Sequence, residues 1–147
     1  MKMHNIRRWG VAGSLVGALA FGGCSHMGRG SEQTWTMNTA ESIPAAVGKV
    51  KVAEEKDGNS KVKVEVEHLA AAASVNEQAS TYVVWLKPES GTAQNVGALI
   101  VDKDRKGKLE TKTAFKDFQV FVTAEEDANV TSPSQTTIMA TKVVVPV

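Results

Sequence analysis

Cys24 carries the sole thiol of the 147-residue chain, and a single cysteine cannot close an intrachain disulfide. It is either free or chemically modified. Histidine is nearly as scarce. His68 is the one imidazole between residues 44 and 147, so a zinc site or a histidine-based triad there lacks partners. Asp102, Asp104 and Gly107 stand at calcium-loop spacing, but Lys106 and Thr113 occupy places where an oxygen ligand and a bidentate glutamate belong. Those two mismatches make a solvated turn a better reading of these residues than a calcium site. Glu125, Glu126 and Asp127 offer a general acid, or a wet turn after a strand. His26 and Met27 are copper-type donors with no second cluster to complete a site. No serine lies in a Gly-x-Ser-x-Gly elbow, and no glycine-rich phosphate loop occurs. Each constellation lacks a partner, so the chain reads as a non-enzyme with no metal and no cofactor.

The segment that places Cys24 is more informative than the cysteine itself. Lys2, His4, Arg7 and Arg8 precede an apolar run from Trp9 to Phe21, then Gly22 and Gly23 lead into Cys24. A charged start, a short apolar middle and small residues before a cut are the parts of a secretory signal. With cysteine following the cut, residues 1–24 resemble a bacterial lipoprotein signal. Phe21 departs from the leucine usual at that position, while Gly22 and Gly23 fit. The resemblance implies that residues 1–23 are removed and that Cys24 is lipidated, and Ser25 after it implies an outer-membrane address. Two or more acyl chains give stable attachment, each buried methylene contributing about 0.8 kcal/mol. An ordinary cleaved signal and an uncleaved membrane helix remain open alternatives, although the 13 residues from Trp9 to Phe21 fall short of the roughly 20 a span needs. Arg7-Arg8 invites a twin-arginine reading, which the flanking residues do not match.

Loss of the signal removes Lys2, Arg7 and Arg8, so 17 basic and 16 acidic residues become 14 and 16, a net charge of −2. A surface so nearly neutral makes no electrostatic case for nucleic acid. Lys103, Arg105, Lys106 and Lys108 cluster, but Asp102, Asp104 and Gly107 interleave with them as in a solvated turn. Residues 24–43 contain Gly28, Gly30, Ser31, Asn38 and Ser42 without apolar periodicity, and read as a lipidated N-terminus and flexible tether. Trp35 and Met37 are its only large apolar members between Met27 and the closing Ile43.

From residue 44 to residue 147 the pattern turns to period two. Val62, Val64 and Val66 share one face against Lys61, Lys63, Glu65 and Glu67, as a strand with one buried and one wet face requires. Val50 and Val52 alternate with Lys49 and Lys51, and the intervening Asp57-Gly58-Asn59 is hairpin chemistry. Further strands are expected over Thr81–Lys87, Val96–Val101 (continuous enough to be covered on both faces), Leu109–Phe115, Phe118–Thr123 and Thr136–Val145. All four prolines are expected outside the strands. Residues 69–80, which open with four alanines, read as a partly structured crossover at one end of the sandwich. Seven strands at regular spacing predict an all-β fold, an antiparallel immunoglobulin-like β-sandwich.

Tyr82-Val83-Val84-Trp85, then Gly97 and Leu99, then Phe118, Val122, Thr123 and Glu125, then Pro133-Ser134 occur in this order. The order and spacing resemble the extracytoplasmic C-terminal domain of anti-sigma-K factors, over about residues 60–145. The resemblance implies a sensing or interaction sandwich in which these positions mostly serve the core. Sigma binding is not carried over, because a cytoplasmic helical domain and a membrane span are not found here. Tyr82 and Trp85, three residues apart on a strand, point to opposite faces.

These readings converge on a lipid-anchored protein of the bacterial cell envelope, facing the periplasm. Its non-catalytic sandwich binds an envelope protein or a cell-wall component. A structural subunit of an envelope assembly, and a small hydrolase or metal-dependent enzyme using His68 and nearby acids, are the alternatives. The oligomeric state has no signature in the chain.

Overall fold

The computed structural model describes residues 31–146. The segment read as a signal, residues 1–23, and Cys24 lie outside the described residues. The hairpin expected from Asp57-Gly58-Asn59 joins β2 (Val47–Glu54) to β3 (Ser60–Glu67) in antiparallel register, with Val50 opposite Val64 and Val52 opposite Val62. In its turn Glu55 N–H donates to the Asn59 carbonyl at 2.9 Å, while Asp57 accepts the backbone and amide N–H groups of Asn59 at 3.0 Å each. Gly58 takes a φ of 83°, the left-handed conformation that glycine adopts without a Cβ penalty. Val62, Val64 and Val66 face inward, as their alternation demands.

Six more strands follow: β4 (Thr81–Pro88), β5 (Gln94–Ala98), the two-residue β6 (Ile100–Val101), β7 (Gly107–Thr113), β8 (Asp117–Glu125) and β9 (Thr137–Val144), with β5 and β6 dividing one expected strand. One helical turn, α1 (Ala72–Val75), is all the regular structure in the alanine-rich crossover. Every strand pairing is antiparallel, and the order is β5-β4-β8-β9-β1-β2-β3-β7-β6, where β1 spans Gln33–Thr39. The all-β antiparallel fold is thus as the periodicity predicts. Strands β2-β3-β7-β6 and β9-β8-β4-β5 carry the connectivity of the two immunoglobulin sheets, A-B-E-D and G-F-C-C′.

Two expectations are corrected. Residues 33–39 are not tether. Trp35 and Met37, two apart, turn inward from β1, and Met37 is only 3% exposed. Gln33 through Met37 pair with β2, and Asn38 and Thr39 then pair with β9. Among the described residues the strands therefore begin at Gln33, with one strand stitching the two sheets at that edge. The opposite edge holds the second correction. The apolar run 96–101 is not one doubly covered strand. It pairs with β4 up to Ala98 and with β7 from Ile100, changing sheets at Leu99, whose N–H donates to the Tyr82 carbonyl at 2.8 Å. Gly97, at φ 130°, supplies the bend, and Ile100 is left 80% exposed. With a strand crossing at each edge, the sandwich becomes nearly a barrel. A smaller departure is Pro88, which sits at the last position of β4 instead of beyond it, where its missing N–H interrupts no continuing ladder.

The core lies between the sheets and is built from the inward valines of β2 and β3 with Tyr82, Val84, Leu86, Phe118, Val122, Ile138 and Met139. A second apolar cluster lies on the other face of β4 and β8, where Val83, Trp85 and Phe121 pack with Ala93, Val130 and Ala140. Trp85 and Phe121 stack, with centroids 6.3 Å apart and ring planes 12° from parallel. Tyr82 and Trp85 thus occupy opposite faces, as their spacing requires.

Candidate functional site

Two places gather the residues singled out in the sequence. The first is a buried polar chain on the outer face of β4 and β8. The Trp85 indole N–H donates to Thr123 Oγ1 at 2.8 Å, and the Thr123 hydroxyl donates to Glu125 Oε1 at 2.5 Å. That same carboxylate oxygen accepts the Ser134 backbone N–H at 2.7 Å, and the Ser134 hydroxyl donates to the Ala124 carbonyl at 3.2 Å. Thr123 and Trp85 are fully buried, and Glu125 is 6% exposed. Strand alternation puts Trp85, Thr123 and Glu125 on one face, and the 126–136 segment folds back to close it. With Oε1 held by two donors and no cation at ion-pair distance among the described residues, Glu125 is a structural acceptor that fixes this segment over Trp85. Pro133 is half-buried in the same turn.

The second is an apolar cleft of about 490 Å³ at one end of the sandwich, between Leu69–Ala72 and the sheet-switching corner at Ala98–Val101. Tyr82 forms its floor, and its hydroxyl donates to the Ala70 carbonyl at 2.9 Å, holding the crossover in place. Burial pushes the Tyr82 phenol above its ordinary value, so it remains a neutral donor. Leu69 N–H donates to the Arg105 carbonyl at 3.0 Å, joining the two sides. His68 and Arg105, at φ 57° and 60°, are the only non-glycine residues with positive φ among those described, and both stand beside the cleft. Ile100 projects at its mouth. An apolar floor with a few fixed polar groups at the rim suits capture of an apolar side chain.

A larger recess of about 890 Å³ is of another kind. Lys51, Lys61, Lys63, Glu54, Glu55 and Asp57 line it, and it is a wet groove whose charged side chains mostly pair with residues outside it. Lys51 bridges Glu65 at 2.7 Å, Lys61 bridges Glu110 at 2.8 Å, and Lys112 pairs with Glu55.

The remaining sequence candidates separate. Phe118 and Val122 are core, Leu99 is the corner residue, and Gly97 lies so close to Leu109 that a Cβ there would stand 3.1 Å from its side chain. The turn with calcium-loop spacing is closed by its own backbone, because Asp102 Oδ1 accepts the N–H groups of Asp104 and Lys106 at 2.9 Å each. Among the described residues no three His, Cys, Asp or Glu side chains converge as a metal site would require. His68 is exposed and precedes Leu69 in the chain without lining the cleft.

Two polar residues escaped the sequence reading. Asn95 donates to the carbonyls of Ala128 and Val130 at 2.9 and 2.8 Å, and its side-chain oxygen accepts the Gly97 N–H at 2.9 Å. An asparagine ahead of an apolar run was the available signal. Asp117 Oδ1 is buried with Lys142 Nζ 3.4 Å away, near enough for an ion pair and too poorly aligned for a hydrogen bond.

No protein-family model matches this chain, and no curated protein matches it.

Proposed function

We propose that this protein is a lipid-anchored component of the bacterial cell envelope whose immunoglobulin-like sandwich serves as a non-catalytic interaction module, with the Leu69–Ala72 and Ala98–Val101 cleft as its contact surface. The observation that carries the reading is the placement of the sole cysteine at the end of a signal-shaped segment, nine residues before the first strand. The resemblance of the Tyr82-to-Ser134 motifs to an extracytoplasmic sensing or interaction domain agrees with it. Exposed Ile100 beside an apolar floor supports a protein partner or wall component that presents an apolar group.

The test has two parts. Wild-type protein partitions into detergent and Cys24→Ser does not; equal partitioning of the two removes the lipid anchor. Crosslinked co-purification from the native envelope recovers a dominant envelope protein or wall fragment, and Ile100→Glu, at an 80% exposed position that leaves the core untouched, loses it. Undiminished recovery with Ile100→Glu moves the contact away from the cleft.

A further inference from the structure

The two ends of the sandwich stand in different relations to the N-terminal segment. β1 begins at Gln33, opposite Val52 and close to the end of β2 at Glu54. The Glu55–Asn59 turn lies at that end, and so does the segment before β8, because Lys116 Nζ reaches Glu54 Oε1 at 2.7 Å and the Val145 N–H donates to the Lys116 carbonyl at 2.8 Å. The cleft is at the other end. Val66 pairs with Gly107 there, Leu69 meets Arg105, and Thr81 pairs with Glu125. The distance between the ends follows from β8, whose nine residues span about 30 Å.

The connection is short by comparison. Eight residues lie between Cys24 and Gln33, nine Cα-to-Cα steps in all. Fully stretched they reach about 30 Å. Laying the cleft on the membrane would lift Gln33 by the length of the sandwich and draw the connection out to its limit, at the loss of nearly all its conformational freedom. Laying the Glu55–Asn59 end down asks nothing of it. The charges at that end are mixed, with Lys56, Lys112 and Lys116 beside Glu54, Glu55 and Asp57, so chain length and not charge attraction decides.

We infer that the short connection holds the Glu55–Asn59 end of the sandwich against the phospholipid headgroups of the anchoring membrane and presents the Ile100 cleft away from it. This rests on the lipid-anchor reading and adds to it an orientation, and therefore a class of partner that reaches the protein from the far side of the membrane surface.

The orientation is testable because acylation of Cys24 leaves an introduced cysteine as the only free thiol. Lys56→Cys and Lys103→Cys, both at exposed positions, place a fluorophore at opposite ends. The full lipoprotein is reconstituted in phosphatidylcholine and phosphatidylglycerol vesicles that carry a headgroup quencher. The Lys56→Cys label loses most of its emission and the Lys103→Cys label keeps most of it. Equal quenching, or the reverse order, overturns the orientation. An insertion of about twenty Gly and Ser residues between Ser31 and Glu32 brings the two labels to similar quenching, and a difference that survives it overturns the short connection as the cause. Flotation separates this from the underlying reading, because protein that fails to float with the vesicles refutes the anchor itself.

Discussion

The two sheets present outer faces built on one backbone plan and opposite in character. On β2, β3 and β7 the outward positions are mostly lysines and glutamates, several pairing across strands, with Lys51 to Glu65 and Lys61 to Glu110 as the closest such contacts. On β4 and β8 the outward positions are Val83, Trp85, Phe121 and Thr123, sealed beneath the 126–136 segment. The first face lets water do the solvation, so its side chains are individually replaceable. The second is a small core of its own, whose cover is held by the Trp85–Thr123–Glu125–Ser134 chain and by the Asn95 amide.

The largest effect that would break this contrast is expected at Trp85. Trp85→Ala leaves a cavity beneath the cover and should cost about 3–5 kcal/mol, measured by urea unfolding. A loss under about 1 kcal/mol would mean that the second face is as tolerant as the first. Thr123→Val keeps the shape but strands the indole N–H and removes one donor to Glu125, for an expected loss of about 1–3 kcal/mol. The near-ultraviolet circular dichroism of Trp85 should change with it while the far-ultraviolet strand signal is kept. The smallest effect is on the wet face. Hydrogen bonding to Lys51, assisted by its charge, holds the Glu65 carboxyl below the ordinary glutamate value of 4.5. A lowered folded-state value means that Glu65 contributes stability above that ordinary value and loses it as pH falls through the folded one. Glu65→Gln should therefore flatten the acid side of the melting-temperature profile slightly, and the difference from wild type should shrink in high salt. A Glu65→Gln loss as large as that of Trp85→Ala would erase the distinction between the faces.

The same contrast decides what was legible in the sequence. The wet face betrays its strands, because Val62, Val64 and Val66 alternate with charged residues and Asp57-Gly58-Asn59 marks the turn between β2 and β3. β8 is harder to read past Phe118, since Val120 through Glu125 are all buried and burial on both faces erases period two. β1 was missed for a different reason. Trp35 and Met37 have strand spacing, but two apolar residues among threonines and an asparagine are too few to separate from a tether. The break of the 96–101 run at Leu99 was hidden because Gly97 interrupts an apolar stretch without announcing where the chain leaves its sheet. Trp85, Thr123, Glu125 and Ser134 were each singled out as motif positions. Their joining into one chain depends on a register that pairs Trp85 with Phe121 across 36 positions, which local spacing does not encode.

The placement of β1 also has a mechanical meaning. Any load drawn on the chain ahead of Gln33 enters β1 at its first residue and runs along the strand toward the opposite end of the sandwich. The hydrogen bonds joining β1 to β2 lie across that direction. They share such a pull together instead of yielding one after another as an unzipping hairpin would. A strand that twists from one sheet to the other thus doubles as a shear clamp, well suited to a domain hauled on from its N-terminal side.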